Sequence, residues 1–167
     1  MKTTLVSVAL LMLGSLHAVA QEPLASYKSR SIAEIAELNR TTVNAAAKRW
    51  KEDDETELLG TDPLYSKVDL LFQGAARPIS EGRKKLIAGW GKQVKLDKKT
   101  TDLYVNELKF SEDGKDYWLG IPNSLIPSIA GKVKKGESVS LYVTYTGVLK
   151  PKDQKDYESV LIITAVQ

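Results

Sequence analysis

The chain has 167 residues, 24 basic and 21 acidic, a net charge of +3, one His and no Cys. His17, Met1 and Met12 are its only His and Met residues, all within the first twenty, so a chain cleaved after Ala20 has no His, Met or Cys. Such a mature protein cannot build Ser-His-Asp or Cys-His nucleophilic sites, nor ligate zinc, copper, haem or iron–sulfur clusters through imidazole or sulfur.

Residues 1–20 have the three parts of a secretory signal peptide: Lys2 as a positive start, an apolar run from Leu5 to Leu16, and small residues at Ala18-Val19-Ala20. The run is shorter than the roughly 20 apolar residues a membrane span needs, and Gln21-Glu22-Pro23 follows it. A periplasmic or secreted protein is expected, with no integral membrane segment after cleavage. No Cys is present for lipid attachment. The remaining length, about 147 residues, is enough for one domain with its own core. Without Lys2 its net charge falls to +2, too small for charge alone to predict a nucleic-acid partner.

Residues 21–60 read as a helical segment. Ser31-Ile32-Ala33-Glu34 has the capping-box pattern. Ile32, Ile35, Ala36, Val43, Ala46, Ala47 and Trp50 recur at helical spacing along one stripe. The acidic run Glu52–Glu55 opposes the dipole of a helix C-terminus, which predicts fraying near residues 51–58, before Gly60 and Asp62-Pro63. The stripe either packs on the protein's own β-domain or docks a partner; Ile32, Ile35, Val43 and Trp50 are the candidate docking residues.

The period changes from residue 65, where a β-rich domain (65–167) is expected. Val68 to Phe72 is a short apolar run, and the stretch 65–80 has no assigned place beyond a possible extra strand. Leu86, Ala88, Trp90, Val94 and Leu96 fall on alternate positions and predict a strand over 86–96, with Gly89 and Gly91 marking a bend. Asp97–Asp102 reads as a polar loop. Strands are expected over 103–110 and 117–121, joined by a hairpin turn at Ser111–Gly114. A short helix fits 124–132, which Pro127 limits to its first turn or bends. Val139, Leu141, Val143 and Tyr145 alternate with polar residues as a half-buried strand. Val160–Val166 is apolar on both alternations; an uncovered edge of this kind would aggregate, so the run is expected to close a sheet or barrel.

The order strand, strand, strand, short helix, strand, strand over residues 84–167 resembles the OB-fold. The fold class read here is α+β, an N-terminal amphipathic helix followed by a small antiparallel OB-like barrel; another small β-barrel or a sandwich is the alternative. The resemblance implies ligand binding across the second and third strands and the loops at 95–99 and 150–155. Tyr104, Tyr117, Trp118, Lys98, Lys99, Lys150 and Lys152 are then candidate binding residues, able to hold an oligosaccharide or single strand by stacking and charge. Against that, Asp97, Asp102, Asp153 and Asp156 offset the lysines.

Three functional classes follow. The first is a non-enzymatic binding or scaffold protein of the bacterial cell envelope, engaging a protein partner or a cell-wall polymer, with no cofactor. The second is a carboxylate-based hydrolase of cell-wall glycans, with Glu107, Glu112 and Asp116 as the candidate carboxylates. The third is an oxygen-ligand cation site at Ser111–Asp116, which lacks calcium-loop spacing and reads instead as a turn, so no metal site is expected.

Overall fold

The computed structural model describes residues 24–47, 56–150 and 157–167; the expected signal peptide with its cleavage after Ala20, the acidic run 52–55, Trp50 and Lys152 lie outside them. Ser31 caps a helix as its pattern demands. Its Oγ accepts from the Glu34 amide at 3.0 Å, and the Glu34 carboxylate accepts from the Ser31 amide at 2.7 Å. This helix, α1 (Ile32–Leu38), ends at Asn39, whose side-chain amide donates to the Ile35 carbonyl at 2.7 Å. A second helix, α2 (Arg40–Ala47), follows directly. A two-residue strand, β1 (Lys28–Ser29), precedes them and pairs in parallel with β2 (Thr56–Pro78).

β2 bears on two expectations. The helical segment was expected to extend to residue 60 with its helix fraying near 51–58, yet Thr56–Gly60 is strand. The cause is non-local: Thr56 to Leu71 pairs with a strand 138–150, and that ladder draws the polar stretch into the sheet. The Gly60 to Pro63 stretch, read as a helix stop, is where the ladder shifts register. The stretch 65–80, left without a place beyond a possible extra strand, belongs up to Pro78 to the longest strand, whose Val68, Leu70 and Phe72 face the core.

Four more strands complete a ring: β3 (Tyr104–Glu112), β4 (Lys115–Pro122), β5 (Ser138–Lys150) and β6 (Glu158–Val166). The order is β2-β3-β4-β6-β5, with β5 returning to β2, so five strands form a closed barrel beside a few helices. It is mixed and not purely antiparallel, because β6 enters parallel to β4 at Gly120↔Ile162 and antiparallel to β5. The apolar run expected to close the barrel does so, with Val160 to Ile163 buried. Leu108, Phe110, Leu119, Ile121, Leu141, Val143, Tyr145, Leu161 and Ile163 share the main core cluster with Val68, Leu70 and Phe72. β3 and β4 are joined by Asp113-Gly114, at φ 49° and 76°, the left-handed pair a tight two-residue hairpin requires. Between β4 and β5 a 3₁₀ turn (Asn123–Leu125) leads into α5 (Ile126–Ala130), a short helix within the expected 124–132 that carries Pro127 in its first turn.

The expected strand over 86–96 is a helix, α3 (Glu81–Gln93). Ser80 caps it, accepting from the Arg83 amide at 3.3 Å. Arg83, Leu86, Ile87 and Trp90 follow the helical period and are buried. Leu86, Ile87 and Trp90 pack with Ile79, Tyr104, Leu149, Val160 and Ile162 in a second core cluster. The supposed loop after it holds a short helix, α4 (Lys98–Thr101), capped by Asp97. Gly91 marks no strand bend; it lets α4 approach, since a Cβ there would sit 2.4 Å from Thr101 Cγ2. Gly91→Ala is therefore expected to destabilise by about 1–3 kcal/mol in a urea melt. Adding Thr101→Ser, which removes the clashing methyl and keeps the hydroxyl bonded to the Lys98 carbonyl (2.9 Å), should restore most of the loss. Failure of the second change to rescue would refute the clash.

Candidate functional site

A cleft of about 690 Å³ lies between α1–α2 and the adjoining ends of β4, β5 and β6, within the size range of ligand sites. Ile32, Ala36 and Val43 on the helices face Leu119, Val148 and Leu161 on the strands, giving it aliphatic walls. Tyr117, Trp118 and Tyr157 add aromatic surface, and Arg40, Lys115 and Asp116 add charge. The Arg40 guanidinium pairs with Glu37 one turn earlier, at 3.0 Å. Burial, then the negative charges of Glu112 and Asp113, push the Tyr117 phenol above its ordinary value. It therefore stays protonated, a hydrogen-bond donor, through the physiological range.

At one side of the cleft Arg83 and Glu158 belong to a charge network that sequence reasoning missed. The Arg83 side chain, 6% exposed, donates to Glu107 at 2.5 Å, to Glu158 at 2.6 Å and to the Trp118 carbonyl at 3.0 Å. The Glu107 side chain, 1% exposed, also accepts from Arg77 Nε at 2.7 Å. Arg77 lies over the Trp118 ring, 4.1 Å from its centre, a cation–π contact. Two guanidinium groups thus face two carboxylates. Planar, forked guanidinium suits this bridging better than an ammonium would.

The candidate carboxylates are all engaged within the chain. Glu107 is bound to two arginines, Glu112 accepts from the Ile32 amide at 2.8 Å, and Asp116 pairs with Lys109 at 2.7 Å. Glu112 and Asp116 flank the Asp113-Gly114 hairpin turn.

The predicted binding residues disperse. Tyr117 and Trp118 line the cleft. Tyr104 does not join them; it is buried in the α3 cluster and donates to the Ile163 carbonyl at 3.1 Å. Lys98 and Lys99 lie on α4, with Lys98 paired to Asp102, and Lys150 ends β5 beside Thr56. Of the two readings of the stripe, the described part follows the first, packing on the β-domain: Ile32 and Ile35 are 2% and 0% exposed within the barrel's core cluster, and Val43 packs against it. The barrel's apolar interior needs covering from water, and α1 supplies the cover.

Among the described residues no helix is long and apolar enough to cross a membrane. Comparison with protein-family models, curated proteins and solved structures found no match to this chain.

Proposed function

We propose that the chain is an exported, non-enzymatic binding protein of the cell envelope, built on an OB-like barrel, whose cleft receives an apolar segment of a protein partner. The five-stranded ring with a short helix between its third and fourth strands supports the OB-like reading. The single observation carrying the binding reading is the cleft itself, aliphatic on both walls and flanked by three aromatic rings. Hydroxyls of a sugar polymer laid on the aliphatic walls, Ile32, Ala36 and Val43 against Leu119, Val148 and Leu161, would go without partners there, at a cost an apolar side chain avoids. Arg40, Lys115 and Asp116 suit the polar flanks of a peptide segment. The engagement of Glu107, Glu112 and Asp116 by cations and a backbone amide supports binding over hydrolysis, because an arginine-bound carboxylate is poorly placed to exchange protons.

Filling the cleft tests this. Ala33 lines it from an exposed position on α1, so Ala33→Trp should add bulk without disturbing the core. Immobilised wild-type protein should retain a defined partner from envelope extract that Ala33→Trp fails to retain. Retention of the same partners by both proteins would refute the cleft as the site. Hydrolysis of cell-wall glycan by the purified protein would favour the carboxylate alternative instead.

A further inference from the structure

We infer that the outer face of α3–α4 is a docking surface for anionic phospholipid headgroups, separate from the cleft. Residues 81–102 hold seven basic and three acidic residues, a net of +4, while the whole chain carries +3. The rest of the chain is therefore −1, and the positive excess sits on this one segment. Its inward side, formed by Leu86, Ile87 and Trp90, is spent on the barrel. Lys85 and Lys92, seven residues apart and so about two turns, share the outward side. Lys95 and Lys99 extend the exposed charge across the turn and onto α4, held against α3 through the Gly91–Thr101 contact. Among the described residues, none of these four lysines is in an ion pair.

The composition of the face selects its partner. Every exposed cation on it is a lysine; the one arginine, Arg83, is buried in the Glu107 network. No forked donor is left to read phosphates in fixed geometry. Its one aromatic, Trp90, is 4% exposed, so no ring is presented for a base to stack on. Hydrated point charges on flexible stems suit a laterally mobile anionic surface, where each lysine adds its attraction without a fixed register. Leu103, 41% exposed, comes just after the α4 C-cap Asp102 and gives this end of the segment an apolar residue to set at the headgroup level.

Vesicle sedimentation decides the matter, with purified protein and circular dichroism to confirm folding. Wild-type protein should sediment with vesicles of about one-third phosphatidylglycerol in phosphatidylcholine, and not with phosphatidylcholine alone. Raising salt from about 0.1 M to about 1 M, which shortens the screening length from about 10 Å to about 3 Å, should release it. Lys92→Glu with Lys99→Glu should weaken binding about tenfold or more. The same charge change at exposed Lys132 and Lys134, on the turn before β5, should alter it by less than about threefold. Absence of binding at low salt, equal loss in both double variants, or tighter binding to a single-stranded oligonucleotide than to the vesicles would each overturn the inference.

Discussion

Arg83→Met is expected to cost the fold about 3–5 kcal/mol, although it removes little apolar volume. The substitution strands two carboxylates and a carbonyl. Glu107, 1% exposed, keeps only Arg77, while Glu158 and the Trp118 carbonyl lose the Arg83 guanidinium. Desolvating a charge is recovered only through its partners, so removing one partner costs more than the pair contributes. Glu107→Leu alone should be comparably harmful, because it leaves Arg83 buried with one carboxylate. The double variant should be far less harmful than the two single losses combined. Arg77 and Glu158, 43% and 30% exposed, can rehydrate once the buried pair is gone. Urea melts of the four proteins form a double-mutant cycle. Additive losses would show that the two groups are not coupled and that α3 is seated by its apolar face alone.

Stability is also expected to collapse at alkaline pH, from about pH 10 upward, through two buried phenols. Tyr104 is pushed well above its ordinary value by burial and secondarily by Tyr27, and Tyr145 by burial alone. In the unfolded chain both ionise near the ordinary value of about 10, whereas the folded state retains their protons. The unfolded state then binds fewer protons, so the stability of unfolding falls as pH rises. The contribution is fully present below pH 10 and is lost as pH climbs toward the folded-state values. Two such groups give a slope of about 2.7 kcal/mol per pH unit. Tyr145→Phe should halve that slope. Because its buried hydroxyl has no partner among the described residues, the same change should also add about 1 kcal/mol at neutral pH. Tyrosinate absorbance followed alongside circular dichroism is the measurement. If all seven tyrosines ionise smoothly before unfolding begins, neither phenol is protected.

Local features of this fold were legible in the sequence. The Ser31–Glu34 box, the Asp113-Gly114 turn and the alternation of Val139 to Tyr145 each act over a few residues, and each produced the element it signalled. α3 was misread because Leu86, Ala88, Trp90, Val94 and Leu96 satisfy a two-residue period by coincidence. The helical set of Arg83, Leu86, Ile87 and Trp90 starts with a charged residue, which reads as surface until its partners are known. Those partners, Glu107 and Glu158, lie 24 and 75 positions away, beyond the reach of any periodicity. The same holds for β2, whose first residues are polar and enter the sheet only because β5 is there to pair with them. Of the cleft, Tyr117 and Trp118 were flagged as aromatics on a strand, while Arg40, Lys115 and Tyr157 come together only through the ring's closure.

The place of β6 in that ring also sets an order of events. β6 fills the slot between β4 and β5, so until residues 158–166 are made both neighbours have unpaired backbone edges there. β2 must likewise wait for β5, with Thr56 and Lys150 pairing across 94 positions. Contacts of such sequence separation form slowly, and a ribosome adds only about 5–20 residues per second. The nascent chain can wind its helices early, but it cannot close its barrel until the stretch 158–166 has been made. The topology thus keeps the barrel open, and its interior unsealed, until β6 has emerged to take its place between β4 and β5.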